Sequence, residues 1–308
     1  MNLHIARTEP AVARANGIEL TYDTFGEAQA PPLVLIMGLA SQMIAWDDAF
    51  CAALAARGFR VIRFDNRDVG LSTRLDHLGM PNVPQLLLAH FTGQPTQAAY
   101  TLSDMARDVV GLLDALGIDT AHVVGASMGG AIAQTLAIEH PQRLRSLCSI
   151  MATSGDPSLP PPSPEALQLL MTPTPTDQAG YYRRYVQTMK VLRGPGFPLD
   201  DARDLERAAQ NFTRGLYPPG VARQMVAILA SGSRKAALAR VRVPTLVIHG
   251  DADPLVPVEC GVDVADTVPC AQRLIIHGMG HALPITMWPR IVAAIATHAA
   301  QASPGGRS

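Results

Sequence analysis

The feature that most constrains this sequence is a serine enclosed by glycines at 125–129, Gly-Ala-Ser-Met-Gly. An apolar run, 121–124, precedes it, and a pattern typical of a helix, 131–137, follows it. The pattern predicts a strand that turns directly into a helix at Ser127, the context in which a Gly-x-Ser-x-Gly sequence forms a nucleophile elbow. A sharp turn holds the serine hydroxyl clear of the backbone, where a base and a substrate can both reach it.

An activated serine also requires two N–H donors for the negative charge that develops during attack on a carbonyl group. We expect one donor to be the backbone of Met128, directly after the serine, and the other to be the backbone of Leu39, in the loop after the apolar run 33–36. Backbone donors leave the nearby side chains free to shape a pocket. Met43 and Trp46 follow this loop, and their context fits a pocket wall and a packed core equally well.

Two further segments place polar side chains just after predicted strands. Asp253 follows the apolar run 246–248, and His281 follows the run 273–276. The carboxyl ends of parallel strands share one edge of a sheet, where ligands bind in open α/β folds. The order serine, acid, histidine is that of one type of catalytic triad, in which the histidine takes the serine proton and the acid orients the histidine.

Both assignments have competitors in the sequence. Asp251 lies two residues before Asp253, and Asp156 follows the preceding strand, so either could supply the acid. His277 could replace His281 as the base, or the two could form a metal-binding pair. Glycines at positions 278 and 280 disfavour the helix that such a metal pair needs, which makes His281 the preferred base. Two other histidines lie on predicted strands and are expected to be structural, His122 and His249.

Strands and helices alternate along most of the chain, which predicts a mostly parallel sheet covered by helices on both faces. The expected elements include a hairpin at Asn16-Gly17, a helix over about 43–57 and a helix that begins at Ser103. Residues 155–238 break the alternation with prolines and then four helical patterns, at about 165–171, 177–192, 200–214 and 219–231.

We expect this segment to be a helical cap over the site, although a separate domain or a loose linker would give a similar pattern. The predicted division is therefore a core of 1–154 and 239–302, a cap of 155–238 and a frayed tail of 303–308. Candidate pocket residues are Tyr181 and Tyr185 in the cap and Leu255 beside the candidate acid.

Composition excludes several classes of protein. The 308 residues are 48% hydrophobic and 17% charged, with a net charge of −1 and no basic block, which argues against nucleic acid or an anionic membrane surface as a partner. Neither a secretory signal nor an integral membrane span is visible, so a cytoplasmic protein is expected. The four cysteines are widely spaced and predict free thiols rather than zinc or redox sites. They are Cys51, Cys148, Cys260 and Cys270.

The elbow at Ser127, Asp253, His281 and the stretch 64–72, Phe-Asp-Asn-Arg-Asp-Val-Gly-Leu-Ser, resemble the α/β-hydrolase superfamily over nearly the whole chain. The resemblance implies the α/β-hydrolase fold, a mostly parallel eight-stranded sheet flanked by helices, with a helical cap inserted late in the sheet. It also favours Asp253 as the acid, because the acid of this superfamily usually stands before a proline, here Pro254.

A narrower resemblance is carried by Met37-Gly38, Arg67-Asp68 and 278–284, Gly-Met-Gly-His-Ala-Leu-Pro. These segments are similar to those of the aclacinomycin methylesterase group, which hydrolyses a carboxylic methyl ester on an aromatic polyketide. The stretch 64–72 resembles the Asp-x-Arg-x-x-Gly-x-Ser turn of the wider superfamily, which implies that Asp65 and Arg67 brace a turn and take no part in the chemistry. Met37 departs from the wider pattern, because many relatives carry histidine before the glycine of this loop.

The sequence thus predicts a serine hydrolase that cleaves carboxylic esters of small to medium size through an acyl-enzyme on Ser127, with His281 as base, Asp253 as orienting acid, and neither a metal nor a cofactor. The same triad would also suit a thioesterase, a carbon–carbon hydrolase, a lactonase, a proline-releasing aminopeptidase or a cofactor-free haloperoxidase or perhydrolase. An aminopeptidase would need acidic cap residues to hold the substrate amine. An intact triad argues against a non-catalytic receptor. The sequence does not indicate an oligomeric state.

Overall fold

The computed structural model describes residues 5–86, 92, 94, 97–269 and 271–302. The expected tail, 303–308, and Cys270 lie outside these residues. Eight strands form one sheet: β1 Ala11–Ala15, β2 Ile18–Phe25, β3 Pro32–Ile36, β4 Arg60–Phe64, β5 Ala121–Ala126, β6 Leu144–Ile150, β7 Thr245–Gly250 and β8 Gln272–Ile276.

The order of the strands across the sheet is β1-β2-β4-β3-β5-β6-β7-β8. The pairs β1–β2 and β2–β4 are antiparallel, and all the other pairs are parallel. The predicted hairpin is present, with φ of 49° at Asn16 and 80° at Gly17, as a two-residue turn with two positive φ values requires. The prediction of a mostly parallel eight-stranded sheet is confirmed.

Ten α-helices surround or extend this sheet in the described residues. They are α1 Asp48–Ala55, α2 Leu102–Ala115, α3 Met128–Glu139, α4 Pro164–Met171, α5 Gln178–Leu192, α6 Asp201–Arg214, α7 Pro218–Ser231, α8 Lys235–Leu238, α9 Val258–Thr267 and α10 Trp288–Gln301. The helix expected over 43–57 is in fact a short 3₁₀ turn, Met43–Ala45, followed by α1. Helix α2 begins after Thr101 rather than at Ser103, because Asp104 accepts hydrogen bonds from the Thr101 N–H and hydroxyl.

The apolar core lies in two layers, one on each face of the sheet. Alternate residues of β3 enter opposite layers, Val34 on one face and Leu35 on the other. Helices α2 and α3 pack in the first layer, and α1 and α10 pack in the second. Burial on both faces explains why the central strands read as continuous apolar runs in the sequence.

Helices α4 to α8 lie between β6 and β7 in the chain, and the four helices expected in this segment are present within about two residues of their predicted ends. Ion pairs join helices α6 and α7 to the core. Arg223 of α7 binds Asp68 at 2.8 Å with both side chains buried, and Arg207 of α6 binds Asp47 at 2.6 Å. These contacts support the predicted division into core and cap, which stays a prediction.

Removing the charge of Arg223 is expected to destabilise the fold strongly. Burial alone would raise the pKa of Asp68, but hydrogen bonds from Arg223 and from the Leu75 N–H hold this pKa below its usual value. Arg223→Met leaves the carboxylate buried and unpaired, which typically costs about 3–5 kcal/mol of unfolding free energy. Urea unfolding at pH 7 measures this loss, and the exposed Arg240→Met should change stability by less than about 0.5 kcal/mol. Equal losses for both variants would contradict a structural role for the ion pair.

Candidate active site

Ser127 occupies the turn between β5 and α3, as the sequence predicted. Its φ of 56° and ψ of −123° lie in a region that residues other than glycine rarely adopt, at a cost of about 1–3 kcal/mol. Neighbouring glycines make the turn possible. A Cβ built on Gly125 would lie 2.1 Å from the Gly129 carbonyl oxygen, and one built on Gly129 would lie 2.1 Å from the Ile36 carbonyl oxygen. The serine is therefore held in a strained position by tight backbone packing.

The three residues predicted to form the triad come together at this turn. His281 Nε2 lies 2.9 Å from Ser127 Oγ, and His281 Nδ1 lies 2.7 Å from Asp253 Oδ2. The other carboxylate oxygen, Asp253 Oδ1, accepts hydrogen bonds from the N–H groups of Leu255 and Val256 at 2.9 and 2.8 Å. A continuous chain of hydrogen bonds thus joins the serine hydroxyl to a buried carboxylate.

The electrostatics of Asp253 fix the roles of the two histidine nitrogens. Burial alone would raise the pKa of this carboxyl group, but the neighbouring His281, the nearby His249, and hydrogen bonds from His281 and the Val256 N–H hold it well below its usual range. The group is therefore a carboxylate at neutral pH. Because a carboxylate only accepts hydrogen bonds, His281 Nδ1 donates to it, which leaves Nε2 free to accept the serine proton.

The competing acids and the competing base have other partners. Asp251 accepts hydrogen bonds from His277 Nδ1 and from the Gly278 N–H, each at 2.7 Å. This pair lies at the surface, where the His277 side chain is 98% exposed. Asp156 binds Lys235 Nζ at 2.7 Å. Among the described residues, none of these groups forms a hydrogen bond with Ser127 or His281.

His249 lies closer to the site than the sequence suggested. Its Nε2 donates a hydrogen bond to the Val256 carbonyl oxygen at 2.8 Å and lies 3.6 Å from Asp253 Oδ2, with the side chain fully buried. The only signal for this contact was the spacing of four residues between His249 and Asp253. His122, by contrast, is structural as expected: it contacts Ser146 Oγ at 2.8 Å, and burial lowers its pKa to about 4.

The two expected oxyanion donors come from segments next to the serine. Met128 is the first residue of α3, so its N–H has no partner within the helix. The loop that carries Leu39 passes close to the serine, since a Cβ built on Gly38 would lie 3.0 Å from Ser127 Cβ and 3.5 Å from its Oγ. The hydrogen bonds of the described residues include none donated by either N–H. Both donors therefore remain free to bind a ligand oxygen.

Side chains from elsewhere in the fold brace the loop that carries Leu39. Asn66 donates from Nδ2 to the Met37 carbonyl oxygen at 2.9 Å, and Gln224 of α7 accepts from the Ala40 N–H at 3.1 Å. The Gln224 amide also donates to the Arg67 carbonyl oxygen at 2.8 Å. Neither Asn66 nor Gln224 was singled out from the sequence, because each acts through residues distant in the chain.

Asp65 and Arg67 have the turn-bracing contacts that the resemblance implied. The Asp65 carboxylate accepts hydrogen bonds from the N–H groups of Met43 and Leu71, at 2.6 and 2.9 Å, and also binds the Arg214 guanidinium. Arg67 binds the carboxylate of Asp108 on α2 at 2.6 Å. Neither residue contacts the triad.

The candidate pocket residues lie in three different environments. Met43 and Trp46 are 0% and 1% exposed, and the Trp46 ring stacks on Phe50 at 5.5 Å between centroids, so both pack in the interior. Leu255 is half-buried beside the triad acid. Tyr181 and Tyr185 belong to an aromatic cluster on α5 and α6, which is completed by Tyr182 and Phe212. Their role as pocket walls stays a prediction.

The described part of the chain shows neither a metal centre nor a membrane-spanning helix. It contains no group of three or more His, Cys, Asp or Glu side chains suited to hold a metal ion. Within the same residues, none of the helices combines the length and the apolar character needed to cross a bilayer. The absence of a cofactor stays a prediction.

Known proteins resemble this chain in sequence and in fold. The profile of the α/β hydrolase fold family matches residues 31–286. Rhodomycin D methylesterase DauP of Streptomyces sp. (strain C5) is 33% identical over 303 residues, which cover 91% of this chain and 95% of that protein. The corresponding enzyme DnrP of Streptomyces peucetius is 32% identical over the same shares. A putative carbamate hydrolase, RutD of Stutzerimonas stutzeri (strain A1501), is 28% identical over 84% of this chain and 88% of its own length.

Solved structures show the same fold at lower identity. The 2-hydroxy-6-oxo-6-phenylhexa-2,4-dienoate hydrolase of Rhodococcus sp. strain RHA1 superposes with a TM-score of 0.73 and 20% identity, over 96% of this chain and 99% of that one. The esterase RhEst1 of Rhodococcus sp. ECU1013 superposes with a TM-score of 0.73 and 19% identity, over 98% of this chain and 100% of that one. The resemblance inferred from the motifs is confirmed, and the chain belongs to the α/β-hydrolase fold family.

Proposed function

We propose that this protein is a serine hydrolase of carboxylic esters that acts through an acyl-enzyme. The observation that carries the proposal is the unbroken chain of hydrogen bonds from Ser127 Oγ through His281 to Asp253, at 2.9 and 2.7 Å. Similarity to two rhodomycin D methylesterases over nine-tenths of the chain supports an ester as the substrate. The strained turn at Ser127, together with two nearby N–H groups that donate to no other described residue, supports acyl transfer.

In the proposed first half-reaction, Ser127 Oγ attacks the ester carbonyl carbon while His281 Nε2 takes the hydroxyl proton. The carbonyl oxygen becomes negatively charged and is held by the N–H groups of Leu39 and Met128. When the carbon–oxygen bond to the alcohol breaks, His281 returns the proton to the departing alkoxide. Asp253 stays ionised throughout and stabilises the charged imidazole ring.

The second half-reaction repeats these steps with water. His281 removes a proton from a water molecule that attacks the acyl carbon, and the same two N–H groups hold the oxyanion. The bond to Ser127 Oγ then breaks, and His281 returns the proton to the serine. The products are one carboxylic acid and one alcohol, and no electron acceptor or metal is consumed.

We further propose that the natural substrate is a methyl ester of an aromatic acid. The relatives DauP and DnrP are methylesterases of rhodomycin D. The aromatic cluster on α5 and α6, with Tyr181 and Phe212 at 6.0 Å between centroids, lies in the segment predicted to cover the site, and aromatic side chains favour contact with a flat apolar substrate. This proposal is tested by measuring kcat/KM for a series of methyl, ethyl and butyl benzoates. It requires the methyl ester to have the highest kcat/KM.

The aminopeptidase alternative has little support from the cap. Asp177 and Asp200 cap the first turns of α5 and α6, Asp201 pairs with Lys190, and Asp204 pairs with Arg193. These carboxylates therefore already have partners and are poorly placed to hold a substrate amine. Hydrolysis of proline p-nitroanilide as fast as hydrolysis of esters would revive this alternative.

Chelation is expected to leave ester hydrolysis unchanged, because the triad supplies its own acid–base chemistry. The measurement is the rate of p-nitrophenyl butyrate hydrolysis before and after prolonged dialysis against EDTA. A loss of activity that added Zn²⁺ or Mn²⁺ restores would show a metal-dependent mechanism and would contradict the proposal.

A further inference from the structure

The loop that carries His281 is bonded to the helical insertion as well as to the core. The Gly280 N–H, directly before the histidine, donates to the Arg193 carbonyl oxygen at 2.9 Å. In the reverse direction, the Gly196 N–H donates to the Gly278 carbonyl oxygen at 2.9 Å. The segment 193–196 follows α5, so these two backbone hydrogen bonds join the insertion to the candidate base.

The two segments touch through glycines on both sides. A Cβ built on Gly194 would lie 2.5 Å from the Gly280 nitrogen, and one built on Gly278 would lie 2.6 Å from the Gly196 Cα. These distances are shorter than side-chain contacts allow, so the backbones can meet only where no side chain intervenes. The histidine loop therefore has almost no room to shift toward the insertion.

The segment of the insertion is itself fixed by a buried ion pair. Arg193 Nη2 donates to both oxygens of Asp204 on α6, at 2.6 and 2.8 Å. Side-chain exposure is 10% for Arg193 and 7% for Asp204. A short, shielded pair of this kind holds the arginine backbone in one place, and the carbonyl oxygen of that same residue binds Gly280.

On its other side, the loop that carries His281 contacts the loop that carries Asp253. The Ala252 N–H donates to the Met279 carbonyl oxygen at 3.1 Å, and the Asp251 carboxylate accepts from the Gly278 N–H at 2.7 Å. The loop is thus held between residues of the core and residues of the insertion. Core contacts alone would fix one side of it.

We propose that Arg193 is a positioning residue: paired with Asp204, it presents its carbonyl oxygen to Gly280 and thereby sets His281 at hydrogen-bond distance from Ser127. This inference rests on the proposed function, in which His281 is the base. It makes the insertion a part of the catalytic machinery, because displacement of 193–196 moves the base even when the substrate is too small to touch the insertion.

Gly194→Ala tests the inference with a matched control. Gly194 has φ of +83°, and its new Cβ would press on Gly280, whereas Gly58 has φ of +89° with nothing within 4 Å of a new Cβ. Both alanines bear a similar backbone strain, so both should lower the melting temperature, and the contact with Gly280 should add to the loss in Gly194→Ala alone. Only Gly194→Ala should lower kcat for p-nitrophenyl acetate, by about 10–100-fold, because a small misplacement of a catalytic group has an effect of that size. KM should stay within about twofold of the wild-type value.

A second pair of variants covers the case in which Gly194→Ala does not fold. Arg193→Lys keeps the charge but replaces the planar guanidinium, whose Nη2 donates to both Asp204 oxygens, with a compact and flexible ammonium group. Arg203→Lys makes the same replacement at the more exposed pair with Asp47. We expect kcat for the small ester to fall by about 3–10-fold in the first variant and by less than about twofold in the second.

The outcomes separate the two proposals. A wild-type protein that does not hydrolyse esters overturns the proposed function, and this inference falls with it. An active wild type whose Gly194→Ala and Arg193→Lys variants keep the kcat of their controls overturns the inference alone. A rise in KM at unchanged kcat would also overturn it, because that result assigns the segment to substrate binding.

Discussion

Ser127→Ala is expected to lower kcat for p-nitrophenyl butyrate by about 10⁴-fold or more. Alanine removes the nucleophile, but it leaves the backbone donors at Leu39 and Met128 and the core packing in place. Only the rate acceleration from binding and from the oxyanion donors should therefore survive. Steady-state kinetics with EDTA present measure the effect and exclude a metal-dependent route.

The control for this prediction is an exposed serine of the same chain. Ser158→Ala removes an exposed hydroxyl whose hydrogen bond, among the described residues, goes to Asp156, and it should leave kcat within about twofold of the wild type. Circular dichroism and melting temperature should show both variants folded. Equal rates for Ser127→Ala and the wild type would mean that the elbow does not act on simple esters, and peptides, thioesters and ligand binding would then be the next candidates.

Asp253→Asn is expected to lower kcat by about 10⁴-fold, the second large effect. The amide keeps the shape of the side chain, but its NH₂ group can donate to His281 Nδ1. The imidazole proton then moves to Nε2, where it blocks acceptance of the proton from Ser127. The activity is thus lost because His281 adopts the wrong tautomer and orientation, while the packing is unchanged. Ester kinetics over pH 5–9 measure the effect.

The two competing carboxylates provide the matched controls for this variant. Asp251→Asn and Asp156→Asn change surface contacts to His277 and Lys235 and should each alter kcat by less than about fivefold. An active Asp253→Asn beside an inactive Asp251→Asn or Asp156→Asn would move the acid to the other position. The hydrogen bond between His281 and Asp253 would then have a structural role only.

The sheet, the elbow and the insertion could be predicted because each depends on local pattern. Parallel strands are buried on both faces and read as apolar runs, as in 33–36 and 246–248, and glycines mark the turn at Ser127. The cap helices were predicted to within two residues because prolines and polar capping residues mark their ends, such as Ser163 before α4. The predicted start of α2 at Ser103 was wrong, because Thr101 and Asp104 form a capping box that begins the helix at Leu102.

Contacts between residues distant in the chain could not be read in the same way. In the sequence, His249 looks like an ordinary residue of a strand. Its position beside Asp253 depends on how the loop after β7 folds back. The contact between Arg193 and Gly280 joins segments more than eighty residues apart in the chain. Periodicity carries no information about such pairs, since each segment alone is compatible with many partners. The residues that support the candidate site were therefore missed while the three triad candidates themselves were found.

The most direct test of an acyl-enzyme mechanism is to label the protein with a fluorophosphonate and to identify the modified residue by peptide mass spectrometry. Such reagents react with a serine that a neighbouring histidine activates, so the adduct should form on Ser127 and should be lost in Ser127→Ala. Labelling should also become much slower in Asp253→Asn. An adduct on a different residue, or ester hydrolysis by a protein whose Ser127 remains unmodified, would contradict the proposed mechanism.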